Sequence, residues 1–313
     1  MAKVAHVERA VQRTIAASRR DGSLLSTAMQ LSVVIPARNE EARLGAQLDA
    51  LLSQNWEGDW DIIVVDNGST DGTDELVHRY AERSPRVRYL LADAVADQSF
   101  AANAGVAATD ADAVAFCDGD DVVADGWLAA MAAGLEVHDV VTGPNELNLL
   151  NPPWLATSRG ESGDNPVGSF AGIFPLVRGN NYGVRRAVWK ITGPLKESFF
   201  PVADQEFSLR CWLNDIKIVG LPDAIVHYRY RNTASVLWRQ GFAYGSHRPW
   251  IARLLKDAGK STPPKFAGWK SWVMLIVKAP KLITQEGRAT WIWIAANRFG
   301  QVVGSIRHRI VML

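Results

Sequence analysis

Leu31-Ser-Val-Val-Ile-Pro-Ala-Arg-Asn-Glu40 decides the architecture. Leu31 to Ile35 is a short, mostly β-branched apolar run, and Pro36 stops it. A run of that length without alternation suits a strand buried on both faces, as in a parallel sheet. A helical pattern carrying Leu44, Leu48, Leu51 and Leu52 then opens at Asn39. The same unit recurs. Asp61 to Val65 reads as a second strand, Thr73 to Glu82 as a helix, and Val87 to Leu91 as a third strand. Phe100 to Ala108 reads as a small-residue helix and Ala113 to Cys117 as a fourth strand. Four alternations of strand and helix predict an α/β fold with a mixed, mostly parallel sheet flanked by helices.

In such sheets ligands bind beyond the carboxyl ends of the strands. Three polar clusters fall at those ends. The first is Pro36-Ala37-Arg38-Asn39-Glu40, where Arg38 can meet phosphate and Glu40 a base or ribose. The second is Asp66-Asn67-Gly68-Ser69-Thr70-Asp71-Gly72, where Asp66 can accept from a nucleobase N–H. The third is Asp118-Gly119-Asp120-Asp121. Three carboxylates so close repel one another unless a cation sits among them. Hard cations such as Mg²⁺ or Mn²⁺ take oxygen ligands and bridge carboxylates to phosphates. Alone, each cluster also reads as a well-made turn or helix cap. Their shared position at strand ends favours a binding site. No Gly-x-Gly-x-x-Gly and no Walker lysine loop follows the first strand, which argues against a dinucleotide dehydrogenase or an NTPase.

Residues 145 to 178 are rich in Pro, Gly, Asn and Ser, as in a functional loop or lid. A helix is predicted over Val202 to Leu213. Its Asp204 is a candidate general base, with N-capping as the plainer role. Late strands are predicted over Ile216 to Val219 and Ala224 to Tyr228, the second ending near His227, a candidate metal or phosphate contact. Residues 1–29 read as an amphipathic helix and linker, 30–240 as the main domain, and 241–313 as a helical extension rich in Trp and Arg. That extension interleaves Trp269, Trp272, Trp291 and Trp293 with Lys270, Lys278, Lys281, Arg288, Arg298, Arg307 and Arg309. It reads either as an interfacial membrane segment or as a helical pair packed on the core or at a dimer contact.

Bulk properties narrow the partners. The 313 residues are 48% hydrophobic, enough for one large core with an appendage. The formal net charge of +1 gives no field for nucleic acid. Cys117 and Cys211 have neither disulfide nor metal spacing, which suits a reducing cytosol. No signal peptide and no apolar run of about 20 residues is present. The expectation is a cytoplasmic protein, at the inner face of the cell membrane if the tail binds lipid.

Taken in order, the motifs resemble glycosyltransferase family 2 with its GT-A fold. They are Ser32 to Glu40, Ile63 to Gly72, Asn103-Ala-Gly105, Asp118 to Asp121, Gly179-Asn-Asn-Tyr-Gly-Val-Arg-Arg186 and Asp204-Gln-Glu206, and they cover about residues 31 to 240. The resemblance implies an inverting enzyme that moves a sugar from a nucleotide-diphospho-sugar to an acceptor hydroxyl. Pro36, Ala37, Arg38, Glu40, Asp66, Asn67, Ser69, Asn103, Asp118, Gly119 and Asp120 would hold the nucleotide-sugar. Asp120 or Asp121, with His227, would hold a divalent Mn²⁺ or Mg²⁺. Asp204 would be the catalytic base, and Gly179, Asn180, Asn181 and Glu206 would border donor sugar and acceptor. UDP is the default donor nucleotide. A sugar, glycolipid or polyprenyl-linked acceptor in cell-envelope or extracellular polysaccharide synthesis would suit the tail.

The sequence departs from the family pattern at two places. Ala102 stands where the family often has Arg, so a phosphate contact is either lost or supplied elsewhere, for example by Arg38 or Arg231. Ala203 stands where an acidic residue usually precedes the base. A nucleotidyltransferase acting on a sugar phosphate and a non-catalytic nucleotide-sugar-binding relative are the competing readings.

Overall fold

The computed structural model describes residues 29–158, 166–266 and 268–312. The helix expected within residues 1–29 lies almost wholly outside them.

A seven-stranded sheet forms the centre of the molecule, in the order β11-β6-β10-β4-β1-β2-β3. Its strands are β1 (Leu31–Ala37), β2 (Trp60–Asp66), β3 (Val87–Leu91), β4 (Ala113–Cys117), β6 (Val140–Thr142), β10 (Asn181–Arg185) and β11 (Ile218–Gly220). β1 pairs in parallel with both β2 and β4, and β2 with β3. β10 runs antiparallel to β4 and β6, which makes the sheet mixed but mostly parallel. A small second sheet joins β5 (Val122–Val123), β12 (Val226–His227) and β7 (Asn145–Glu146). β8 (Gly168–Phe170) and β9 (Phe174–Leu176) form a hairpin within the segment expected to be irregular.

Helices α1 (Leu44–Leu52), α2 (Thr73–Arg83), α3 (Gln98–Ala107) and α4 (Trp127–Val137) cover the sheet. Val33 and Ile35 pack into one core layer with Leu44, Leu48, Trp127 and Met131. Val34 points to the opposite layer, with Ala101, Val106 and Phe116. This burial on both faces explains why β1 shows no polar alternation. Helix α1 begins five residues after Asn39 because Asn39 has φ 56°, a left-handed conformation that Asn tolerates and a helix does not. Helix α3 begins at Gln98, where Asp97 caps it by accepting from the Ser99 and Phe100 amides at 2.7 and 3.1 Å.

The chain then forms α5 (Pro153–Ala156), α6 (Arg186–Thr192), α7 (Ala203–Leu213), α8 (Ala234–Asp257), α9 (Trp269–Val277) and α10 (Gln285–Arg307). Helix α8 runs without a break through residue 240. α10 lies along α8 with backbones almost touching. A Cβ on Gly245 would fall 2.2 Å from the Asn297 carbonyl, and one on Gly304 the same distance from that of Ser246. Glycine at this seam is what lets the two helices approach so closely. No described helix is long and apolar enough to cross a membrane.

The strand order places the topological switch between β1 and β4. The β1–β4 ladder ends at Val34 and Phe116, so the last residues of both strands diverge there. Pro36 sits beyond that last pair and therefore costs no hydrogen bond to β4.

Candidate active site

A cavity of about 510 Å³ opens at this switch point. A second hollow of about 280 Å³ adjoins it and shares Pro36, Gln98, Asp118, Asp120, Phe200 and Arg231. The smaller hollow is lined further by Ala37, Arg38, Glu40, Asn67 and Gly119. The larger one runs past Gly179 and Asn180 to Asp204. Residues from three strand ends and from α7, among them Arg38, Asn67, Asp120 and Asp204, therefore line these adjoining spaces.

Carboxylate oxygens of Asp118, Asp120 and Asp121 all lie within 4.8 Å of one another. Burial and the neighbouring Asp120 charge push Asp118 up to about 7. Burial, with Asp118 and Asp120 beside it, holds Asp121 well above the usual carboxylate range. Glu40 is raised by burial and by Asp120. Such crowding of hard oxygen donors fits a divalent cation, which would relieve the repulsion.

The three acids are not equivalent. Asp121 is fully buried. One of its oxygens accepts from the Arg229 amide at 2.8 Å and the other from Asn180 Nδ2 at 2.7 Å. Asp118 accepts from Gln98 Nε2 at 2.7 Å, and Asp120 pairs with Arg231 at 2.9 Å. Asp118 and Asp120 line both cavities, and Asp121 lines neither. Arg229 donates from Nε to the Asp120 carbonyl at 3.0 Å, so two arginines flank one acid.

Asp204 sits in the first turn of α7, facing the larger cavity. Burial pushes its carboxyl up to about 6, against the amides of Gln205, Asp204 and Gly179, which favour the charged form. A Cβ on Gly179 would lie 3.3 Å from the Asp204 carboxyl carbon, so glycine is what allows this close approach. Across the cavity, Val236, Arg239, Gln240, Ala243 and Tyr244 form one face of α8.

Several expected residues serve elsewhere. Asp66 is buried, accepting at one oxygen from Ser69 N and Oγ (2.8 and 2.6 Å) and at the other from the Tyr89 hydroxyl (3.0 Å). It lines neither cavity. Ser69 also accepts from the Asn39 amide at 3.0 Å, which ties the first two strand-end loops together. Asn103 brackets the Leu195 backbone, donating at 2.9 Å and accepting at 2.8 Å. Asn181 donates to the Pro144 and Ala224 carbonyls and accepts from Trp127 Nε1. Glu206 is buried between Lys196 and Arg210, at 2.8 Å from each. His227 stands 2.9 Å from Glu146 and outside the acidic group.

Gln98, Arg229 and the α8 wall line the site without having been expected from the sequence. The alternation Tyr228-Arg-Tyr-Arg231 was the available signal for the arginines, since an extended chain sends alternate side chains to one side. The α8 wall had no such signal.

Comparison with known proteins shows what this fold resembles. A profile described as glycosyl transferase family 2 matches residues 32–150. An uncharacterized glycosyltransferase of Escherichia coli K12, YibD, is 37% identical over 100 residues, 32% of this chain and 28% of its own. Glycosyltransferase AglE of Haloferax volcanii is 32% identical over 106 residues, 34% of this chain and 35% of its own. The matched segment thus spans about a third of these relatives' lengths. Among solved structures, the mannosyltransferase PcManGT of Pyrobaculum calidifontis, with GDP-Man and Mn²⁺, superposes with a TM-score of 0.61. It is 17% identical, with 96% of each chain covered. S. aureus TarS 1-349 with UDP-GlcNAc gives 0.52 at 18% identity, covering 90% of this chain and 93% of that one. With the motifs in order, the fold matched over nearly the whole chain and the profile aligned over residues 32–150, the chain is similar to glycosyltransferase family 2 in that segment and has the GT-A fold.

Proposed function

We propose that the protein transfers a single sugar from a nucleotide-diphospho-sugar to an acceptor hydroxyl, by direct displacement with inversion. The observation that carries this reading is the shared cavity: the Asp204 carboxyl and the Asp118–Asp120 pair line one space, and a nucleotide-sized hollow opens beside it. Asp204, half ionised at about pH 6, removes the acceptor proton as the hydroxyl attacks the anomeric carbon. Its position on a helix, packed against Gly179, fixes the direction of attack.

The nucleotide occupies the smaller hollow, with Pro36, Ala37, Arg38, Glu40 and Asn67 against it. Asp66 acts through the loop that it orders with Ser69. Asp118 and Asp120 would hold a divalent cation, Mn²⁺ or Mg²⁺, which supplies positive charge to the departing diphosphate. Asp121 holds Asn180 and the Arg229 amide in place. Arg231 lines both hollows and takes the phosphate role that Ala102 cannot.

UDP is the default nucleotide. The acceptor is a sugar, a glycolipid or a polyprenyl-linked molecule of cell-envelope or extracellular polysaccharide synthesis, met at the inner face of the cell membrane. A thermal-shift panel of nucleoside diphosphates and nucleotide-sugars, with and without Mn²⁺, tests the donor half. One nucleotide should raise the midpoint strongly only with metal, and Asp120→Asn should erase that gain. A panel in which no nucleotide shifts the wild type would end the proposal.

A further inference from the structure

We infer that α9, the turn after it and the flanking edges of α8 and α10 form a docking surface for an anionic lipid bilayer. For the acceptor, the inference rests on the glycosyltransferase reading; for the surface, it stands on four observations.

The first is exposure. Helix α9 buries Leu275 and turns Trp269, Val273, Ile276 and Val277 outward. Ile276 is 77% exposed and Ile283, in the following turn, 86%. The second is continuity. Trp272 meets Phe299 of α10 edge-on at 5.6 Å, and Phe299 lies 6.0 Å from Trp238 of α8. Phe299, Val303 and Ile306 continue the exposed apolar strip along α10. A contiguous apolar patch on three elements marks an interaction surface.

The third is charge. Residues 261–285 contain Lys265, Lys270, Lys278 and Lys281 and not one Asp or Glu. Lysines beside tryptophan and isoleucine suit a bilayer: stems lie along apolar surface and ammonium groups reach lipid phosphates. A second copy docked through the same face would set lysine against lysine, because a two-fold contact is made by the same patch on both chains.

The fourth is the place of the patch. Trp238 belongs to it, and the next two residues, Arg239 and Gln240, line the cavity that holds Asp204. A bilayer on the patch would lie beside the acceptor wall. The acceptor class this favours is a lipid-linked hydroxyl, held at the membrane surface and reached without leaving it. The remaining tail aromatics and cations divide accordingly. Trp291 donates to the Leu275 carbonyl at 2.9 Å, Trp293 packs on Tyr244, and Arg298 is buried, so these build the support and not the contact.

The test is flotation of the full chain with vesicles of phosphatidylcholine alone, or of equal parts phosphatidylcholine and phosphatidylglycerol. The wild type should float with the mixed vesicles only. Partitioning should fall by roughly tenfold or more in the pair Ile276→Asp with Ile283→Asp, and likewise in the triple Lys270→Glu, Lys278→Glu, Lys281→Glu. Circular dichroism and nucleotide thermal shifts should match wild type in both, because the altered side chains are surface groups. Flotation with neither vesicle, or undiminished flotation of both variants, would overturn the inference. So would a dimer that the isoleucine pair dissociates in the absence of vesicle binding. Vesicle binding needs no donor: lipid binding without any nucleotide response would sink the transferase reading and leave the docking surface standing.

Discussion

Asp204 and the three clustered aspartates are distinguished by what each carboxyl touches. The Asp204 carboxyl is raised to about 6 by burial, and it must be unprotonated to accept a proton. Its charged fraction grows as pH rises through that value. We therefore expect kcat/KM to climb with pH up to about 6 to 7 and then level. A profile flat down to pH 4 would remove Asp204 from the base role. Asp120 and Asp121 separate by experiment as well. Both oxygens of Asp121 accept N–H donors, so Asp121→Asn turns an NH₂ group toward one of them. The expected loss is about 1–3 kcal/mol of stability, read by urea unfolding. Asp120→Asn should leave unfolding nearly unchanged and abolish the metal-dependent part of nucleotide binding, read by calorimetry. The reverse pattern would exchange their roles.

Among elements, those set by local pattern were legible and those set by tertiary contact were not. β1, β2 and β4 each declare themselves by a short apolar run ended by a polar cluster, and the cavity lies where those runs end. The start of α1 was misplaced because Asn39 adopts a turn that the hydrophobic period does not encode. Glu206 was expected beside the sugars as part of the family-like motif Asp204-Gln-Glu206. On a helix, two residues turn a side chain by about 200°, and Glu206 points into the core. There it binds Arg210, which in turn holds the carbonyls of Thr192, Gly193 and Pro194 at the end of α6. Glu206→Gln should cost about 3 kcal/mol by breaking a largely buried ion pair, with nucleotide affinity unchanged. A variant that unfolds normally but loses donor affinity would return Glu206 to the substrate. The α8 wall was invisible for a different reason. Its cavity face, Val236 to Tyr244, becomes a face only when α10 and the sheet fix the helix's rotation.

At the scale of the whole molecule, the strand order, the crowded acids and Asp204 converge on one switch point, and α8 closes it. That convergence is why an acidic turn, ambiguous by itself, reads as the centre of a transferase site. On the proposed function, two roles fall to different residues: holding the donor and moving the acceptor proton. Asp204→Asn preserves the shape of the wall and removes only the proposed base. The decisive measurement is therefore made on that one variant: donor affinity by calorimetry with Mn²⁺, and transfer by release of nucleoside diphosphate in the presence of acceptor. The account predicts donor affinity within about twofold of wild type and transfer lowered by roughly 10²–10⁴-fold, the contribution typical of a general base. Near-normal turnover by Asp204→Asn would contradict it.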